Sequence, residues 1–109
     1  MIEFTITSST VTCIAITGKI LSDADILPMR NEMETIENWH VVLDLTNLSH
    51  TNSSGIAFMV KMLTKSRINN GDTVLLNPNA GLNKLFEITK IHEIFAIYDS
   101  MDAVEEHFN

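Results

Sequence analysis

The run Val41-Val42-Leu43-Asp44-Leu45 is almost unbroken in its apolar character. Such a run suits a strand inside a sheet, with both faces covered. Seven residues on begins Asn52-Ser53-Ser54-Gly55-Ile56-Ala57-Phe58-Met59-Val60, where Ile56, Met59, Val60 and Leu63 recur at helical spacing. Two hydroxyls and a glycine therefore mark the handover from strand to helix. Asn52 or Ser53 can cap that helix by accepting from its free backbone N–H groups. The same donors, with the positive end of the helix dipole, form an expected anion site. A phosphate on a serine there would be stabilised locally.

In chain order, Ile2, Phe4 and Ile6 alternate with polar neighbours, as in a half-buried strand. Ser8-Ser9 makes a short turn into a second strand, residues 10 to 17, ended by Gly18. So short a link implies an antiparallel pair. Ser22-Asp23-Ala24-Asp25 is helix-start chemistry. Pro28 is tolerable only in the first turn, which places the helix over residues 25 to 37. Met29 with Met33, or Ile26 with Arg30, can form its inner stripe. Residues 39 to 46 give the third strand, and 54 to 69 the central helix, stopped by Asn70-Gly71. Residues 73 to 76 form a fourth strand, followed by a turn at Asn77-Pro78-Asn79. Leu82, Leu85, Phe86 and Thr89 stripe a third helix. Residues 95 to 98 read as a fifth strand. Ser100 caps a last helix with Met101, Val104 and Phe108 inward. Strands alternating with helices imply right-handed crossovers and a largely parallel sheet.

Leu43-Asp44-Leu45-Thr46-Asn47-Leu48 followed by Asn52-Ser53-Ser54-Gly55-Ile56 resembles the signature of STAS domains, the anti-sigma factor antagonist family. The similarity continues through Asn70-Gly71-Asp72-Thr73-Val74-Leu75-Leu76-Asn77-Pro78 and Leu85-Phe86-Glu87-Ile88-Thr89-Lys90-Ile91. The expected fold is α/β: one STAS-like domain over 1–109, with a small mixed sheet. Its N-terminal hairpin is antiparallel and the remainder largely parallel, with about four helices mainly on one face.

The resemblance also implies a function. Members act as antagonists of anti-sigma factors, regulating transcription indirectly. A serine is phosphorylated by a partner that is both anti-sigma factor and serine kinase of the GHKL type, and a PP2C-type phosphatase resets it. Mapped here, the phosphoacceptor is Ser53. The partner-binding set is Asp23, Asn52, Ser53, Ser54 and Gly55, with Gly55 small so that a partner backbone can approach. The sequence departs from the family twice. Asn52 replaces the usual aspartate before the acceptor, and Leu21 stands where Gly18-Lys19-Ile20-Leu21 would carry an acid, with Asp23 nearby as its substitute. Two other readings stay open. One is a STAS partner-binding module without a phospho-switch, as in a stressosome-like scaffold or the accessory subunit of a lipid-transport ABC system. The other is a nucleotide binder. From capping chemistry alone, Asn52, Ser53 and Ser54 need do no more than start the helix.

Charge narrows the classes. A net charge of −7 argues against nucleic acid and against anionic membrane surfaces. No secretory start and no run near the ~18 residues of a membrane span occurs, so cytoplasmic residence without membrane insertion is expected. Cys13 is a lone cysteine in a strand-like run, expected to be a buried small hydrophobe. His40, His50, His92 and His107 have no metal-ligand spacing, and neither a G-x-x-x-x-G-K nor a G-x-G-x-x-G loop is present. No base or oxyanion hole is signalled for Ser53. The expectation is a non-enzyme with no catalytic residues, no metal and no cofactor. Asp44 is expected to accept backbone hydrogen bonds near its strand end. Glu32, Glu34 and Glu37 are expected to form a solvated helix face.

Overall fold

A computed structural model describes residues 2–109. The elements run β1 (Ile2–Ser8), β2 (Thr12–Lys19), α1 (Asp23–Glu32), β3 (His40–His50), α2 (Ser53–Ile68), β4 (Asp72–Leu76), α3 (Ala80–Ile88), β5 (Ile97–Tyr98) and α4 (Met101–Phe108). Short 3-10 turns at Met33–Thr35 and Ile91–Glu93 follow α1 and α3. The sheet order is β1-β2-β3-β4-β5. β1 is antiparallel to β2, and each later pairing is parallel. This is the expected mixed sheet with its N-terminal hairpin.

β3 lies at the centre, paired with β2 on one side and β4 on the other. Its alternate residues enter two cores. Val41, Leu43 and Leu45 join Ile14, Ile16, Phe58, Met59, Met62, Leu75 and Phe86 in the larger one, whereas Val42 joins Val11, Val74, Leu76 and Val104 in the smaller one. Residues from α1, α2 and α3 feed the larger core, and α4 caps the smaller. Ile26, Met29 and Met33 are all buried, so the inner stripe of α1 combines members of both expected pairs. Arg30 is exposed. A buried hydroxyl pair fastens α2 to β4: Ser66 Oγ lies 2.8 Å from Thr73 Oγ1 and donates to the Leu63 carbonyl at 2.8 Å.

Several boundaries differ from the sequence reading. α1 begins at Asp23, so Pro28 lies inside it rather than in its first turn. Ala24 and Pro28 are both exposed, which leaves water to satisfy the carbonyl that a proline cannot serve. β2 runs on through Gly18 to Lys19. Gly18 takes φ 111°, open to glycine, at a shift in register against β3. β3 extends to His50 because Asn47, Leu48 and His50 go on pairing with β2. That polar tail carries no apolar run to announce it. Asp44 sits at the other register shift, and its Oδ1 accepts from Thr46 N at 3.0 Å and Thr46 Oγ1 at 2.6 Å. The expected local role for Asp44 is therefore seen.

At the C-terminal side, Thr89 falls beyond α3, exposed, its hydroxyl donating back to Leu85 O at 2.8 Å. Phe95 lies outside β5 but is buried in the larger core. Met101 faces outward and Phe108 is half-buried, its ring stacked on His40 at 4.9 Å. A polar chain holds α4 to the sheet. Tyr98 Oη lies 2.7 Å from His107 Nδ1, His107 Nε2 lies 2.9 Å from Asp72 Oδ2, and Arg67 Nε donates to Asp72 Oδ1 at 3.3 Å. Glu34 on the solvated acidic face pairs with Lys65 at 3.0 Å. An exposed pair of that kind adds little stability.

The turn after α2 has no slack. Asn70 takes φ 63°, Gly71 N donates to Ser66 O at 2.7 Å, and Asp72 N donates to Trp39 O at 3.1 Å. A Cβ on Gly71 would collide with the Trp39 carbonyl and come within 2.9 Å of Trp39 Cβ. Backbone cannot move aside as a flexible side chain can. Gly71→Ala is expected to lower unfolding free energy by about 3 kcal/mol, the upper end for overpacking. Chemical denaturation checks this, and a loss below about 0.5 kcal/mol would contradict the close packing.

Candidate functional site

The start of α2 is built from the backbone up. Asn52 has extended dihedrals (φ −134°, ψ −169°), and its Oδ1 accepts from Ser54 N at 3.0 Å and Gly55 N at 3.2 Å. The helix proper begins when Ile56 N donates to Asn52 O at 3.0 Å. Asn52 is thus the cap, and Ser53 is the first helical residue, exposed. Ser54 is half-buried and Gly55 buried. The expected open anion site is revised on this point: the side chain of Asn52 already takes two of the first-turn donors. The first turn of α2 carries no acidic residue. Ser53 consequently has no carboxylate on its own helical turn to oppose a new negative charge.

The floor beneath Ser53 is Gly55. A Cβ there would collide with Thr51 Oγ1 and sit 3.2 Å from Ile20 Cδ1 and 3.3 Å from Ile20 Cγ2. The glycine is therefore required by internal packing. Internal packing is thus a reason for the glycine besides the partner approach expected from the sequence. Ile20 is wholly buried, and its N–H donates to His50 O at 2.9 Å. Thr51 is also buried, and its hydroxyl has no hydrogen-bond partner among the described residues. The hydroxyl wedges under the helix instead.

Neighbouring loops are cross-tied to the same platform. Ser49 Oγ donates to Gly18 O at 3.0 Å, and Asn79 Nδ2 donates to Leu48 O at 3.3 Å. These ties join the ends of β2, β3 and β4. The Ile20–Gly55 contact also brings the approach to α1 against the first turn of α2. Leu21 follows, 59% exposed, and Asp23 is the exposed first residue of α1. Asp25 Oδ2 accepts from Leu21 N at 2.9 Å, and this donor holds the Asp25 carboxyl below the usual carboxylate range. The sequence reading did not single out Asp25 as the residue that orders Leu21. The signal available to it was the carboxylate three residues past Ser22, the spacing of a capping box.

Other groups offer less chemistry. Cys13 is half-buried on the α4 side of the sheet rather than buried. Burial, with a smaller contribution from the Asp44 charge, pushes its thiol up, toward the unreactive protonated form. Among the described residues, no three His, Cys, Asp or Glu side chains gather to hold a metal. No helix among them is long and apolar enough to cross a membrane.

Fold and site together define a small α/β domain with one mixed sheet, presenting a hydroxyl at the mouth of its central helix. The chain belongs to the STAS domain family, whose model matches residues 2–104. The fold is that of solved anti-sigma factor antagonists at low sequence identity. The unphosphorylated form of SpoIIAA superposes with a TM-score of 0.81 at 19% identity, covering 95% of each chain. An anti-sigma factor antagonist from Mycobacterium paratuberculosis gives 0.83 at 15% identity, covering 99% of this chain and 94% of that one. Phosphorylated SpoIIAA from Bacillus gives 0.66 at 16% identity, covering 97% and 98%.

Two variants test the platform. Asn52→Ala removes the cap and is expected to cost about 1 kcal/mol. Gly55→Ala is expected to cost about 1–3 kcal/mol by overpacking, and Gly55→Ala with Thr51→Ala to recover part of that loss. Denaturation of the set checks both values, and a stable Gly55→Ala single variant would contradict the wedge. The Asp25 contact has a pH signature. Its folded pKa is depressed, so the contact is complete above the ordinary carboxylate range and is lost as pH falls through the lowered value. The Leu21 amide shift in NMR is expected to titrate with that midpoint.

Proposed function

We propose that this STAS domain is an anti-sigma factor antagonist switched at Ser53. It acts by binding rather than by catalysis, in the cytoplasm, and regulates transcription through a partner. The observation that carries this reading is the exposed Ser53 hydroxyl on a rigid, acid-free helix start. The unmodified surface around Asp23, Asn52, Ser53, Ser54 and Leu21 docks an anti-sigma factor that is also a GHKL-type serine kinase. Gly55 contributes from below, by setting the height of the helix mouth. Phosphoryl transfer to Ser53 releases the partner, and a PP2C-type phosphatase resets the serine. SpoIIAA, which shares the fold, has been solved in unphosphorylated and phosphorylated forms.

The physics is electrostatic. A phosphoserine adds about −1.5 to −2 charge near neutral pH. Burying that charge without a partner cation costs several kcal/mol, against about −8 kcal/mol for a micromolar complex. Asn52 Oδ1 already occupies the Ser54 and Gly55 donors, so the phosphate gains little local compensation unless the cap gives way. The long-range balance is also unfavourable, because the chain already carries −7. Release then needs no refolding. The second reading, partner binding without a switch, rests on Asn52: its amide is committed to the cap and gives the kinase no carboxylate beside the acceptor.

Incubation with the cognate kinase and ATP, followed by peptide mass spectrometry, tests the assignment. The expected result is one phosphoryl group on Ser53, absent from Ser53→Ala, with that variant still folded and still binding. Ser53→Asp is expected to bind at least about tenfold more weakly, a difference of about 1.4 kcal/mol. Label on Ser54, or none on a protein that binds the kinase, would contradict the switch.

A further inference from the structure

The first strand is an open edge. β1 pairs only with β2 and forms one end of the sheet, whereas the opposite end is the two-residue β5. An edge strand exposes a row of unpaired N–H and C=O groups, and proteins usually blunt it with charged side chains (lysine above all), proline, a bulge or a covering element. The sequence of β1, IEFTITS, has no lysine and no proline, Glu3 is its single charge, and its register with β2 runs without a shift. Cover is also incomplete. Ile2, Phe4 and Ile6 face the larger core but stay half-buried, while Glu3, Thr5 and Thr7 are exposed on the other face. Two hollows follow the edge. One of about 230 Å³ lies between Ile2, Phe4 and the Ala24, Pro28 side of α1, and one of about 150 Å³ lies between Ile6 and Ile36.

We propose that β1 is the interface to a second copy of this chain, paired antiparallel, edge to edge, about Phe4. The strand is complementary to itself in that register. Phe4 meets Phe4 of the second copy, Ile2 meets Ile6, and Glu3 meets Thr5. Apolar residues oppose apolar ones on the core face, and no like charges oppose each other on the outer face. A two-fold axis through the strand centre closes the assembly at a dimer. The backbone bonds of such an edge are available to any extended segment, and a second copy brings a strand that satisfies both faces of this register. Ser53 follows β3, which β2 separates from the edge, so the pairing leaves the helix mouth of each copy open. Pairing brings two chains of −7 charge together, so added salt favours it.

Light scattering across a concentration series tests the proposal on the full chain, with hydrogen exchange of residues 2 to 8 alongside. The expected result is a monomer–dimer equilibrium with β1 amides gaining protection in the dimer. Position 5 gives a test of opposite signs. Thr5→Glu sets carboxylates against Glu3 twice across the axis and weakens the dimer about tenfold. Thr5→Lys sets opposite charges there and strengthens it. Thr5→Glu combined with Glu3→Lys recovers dimerisation. Within one chain Thr5 faces Ala15, with Cys13 and Thr17 diagonal to it, so changes at position 5 meet no charge on β2; Glu3 faces Thr17 and has Lys19 on its diagonal. A monomer at every concentration for both the unmodified chain and Thr5→Lys overturns the proposal. A dimer that ignores the charge at position 5 overturns it equally.

Discussion

The close approach of Gly55 to Thr51 and Ile20 is the contact on which the site depends. It sets the height of α2 above the ends of β2 and β3, and the missing side chain is what lets the helix sit there. Three consequences follow from one absent Cβ. The Thr51 hydroxyl can be buried as a wedge, Ile20 can close the core, and Leu21 is delivered to the surface beside the helix mouth. Asn52 then closes the helix start by taking two donors. What remains outward is Ser53, on a foundation with few ways to relax.

That rigidity bears on how a switch could work here. A hydroxyl on a mobile loop can respond to phosphorylation by ordering or disordering its segment. A hydroxyl fixed on a packed helix has little scope for that. The plainer response is a change of surface charge at constant shape, which acts on the docking partner rather than on the fold. The acidic balance of the chain and the acid-free first turn of α2 are complementary in this respect. The first turn of α2 carries no charge of its own, so one phosphoryl group changes its character.

Much of the fold was legible because β3 is so apolar and the helices keep their spacing. The centre of the sheet, the N-terminal hairpin and the stop at Asn70-Gly71 all follow from pattern and turn chemistry. The errors have physical causes. Proline chemistry points Pro28 to a first turn, but its exposed position inside α1 lets water replace the lost bond. The polar end of β3, Asn47 to His50, pairs through its backbone, which leaves no hydropathic trace. The chain Tyr98–His107–Asp72–Arg67 joins residues far apart in sequence, with no period to betray it. At the site, Ser53 and its cap were readable. The packing reason for Gly55 was not, because its neighbour Ile20 lies 35 positions earlier and meets it only in three dimensions.

The most direct measurement compares one partner with two forms of this protein, unmodified and stoichiometrically phosphorylated at Ser53, by calorimetry, with NMR amide shifts recorded for both. The account predicts binding at least about a hundredfold weaker for the phosphorylated form, about 2.7 kcal/mol. It also predicts amide changes confined to the first turn of α2 and the Ile20–Asp23 approach. Equal affinity of the two forms, or shift changes spread through the sheet, would contradict a switch that works by charge on a fixed helix mouth.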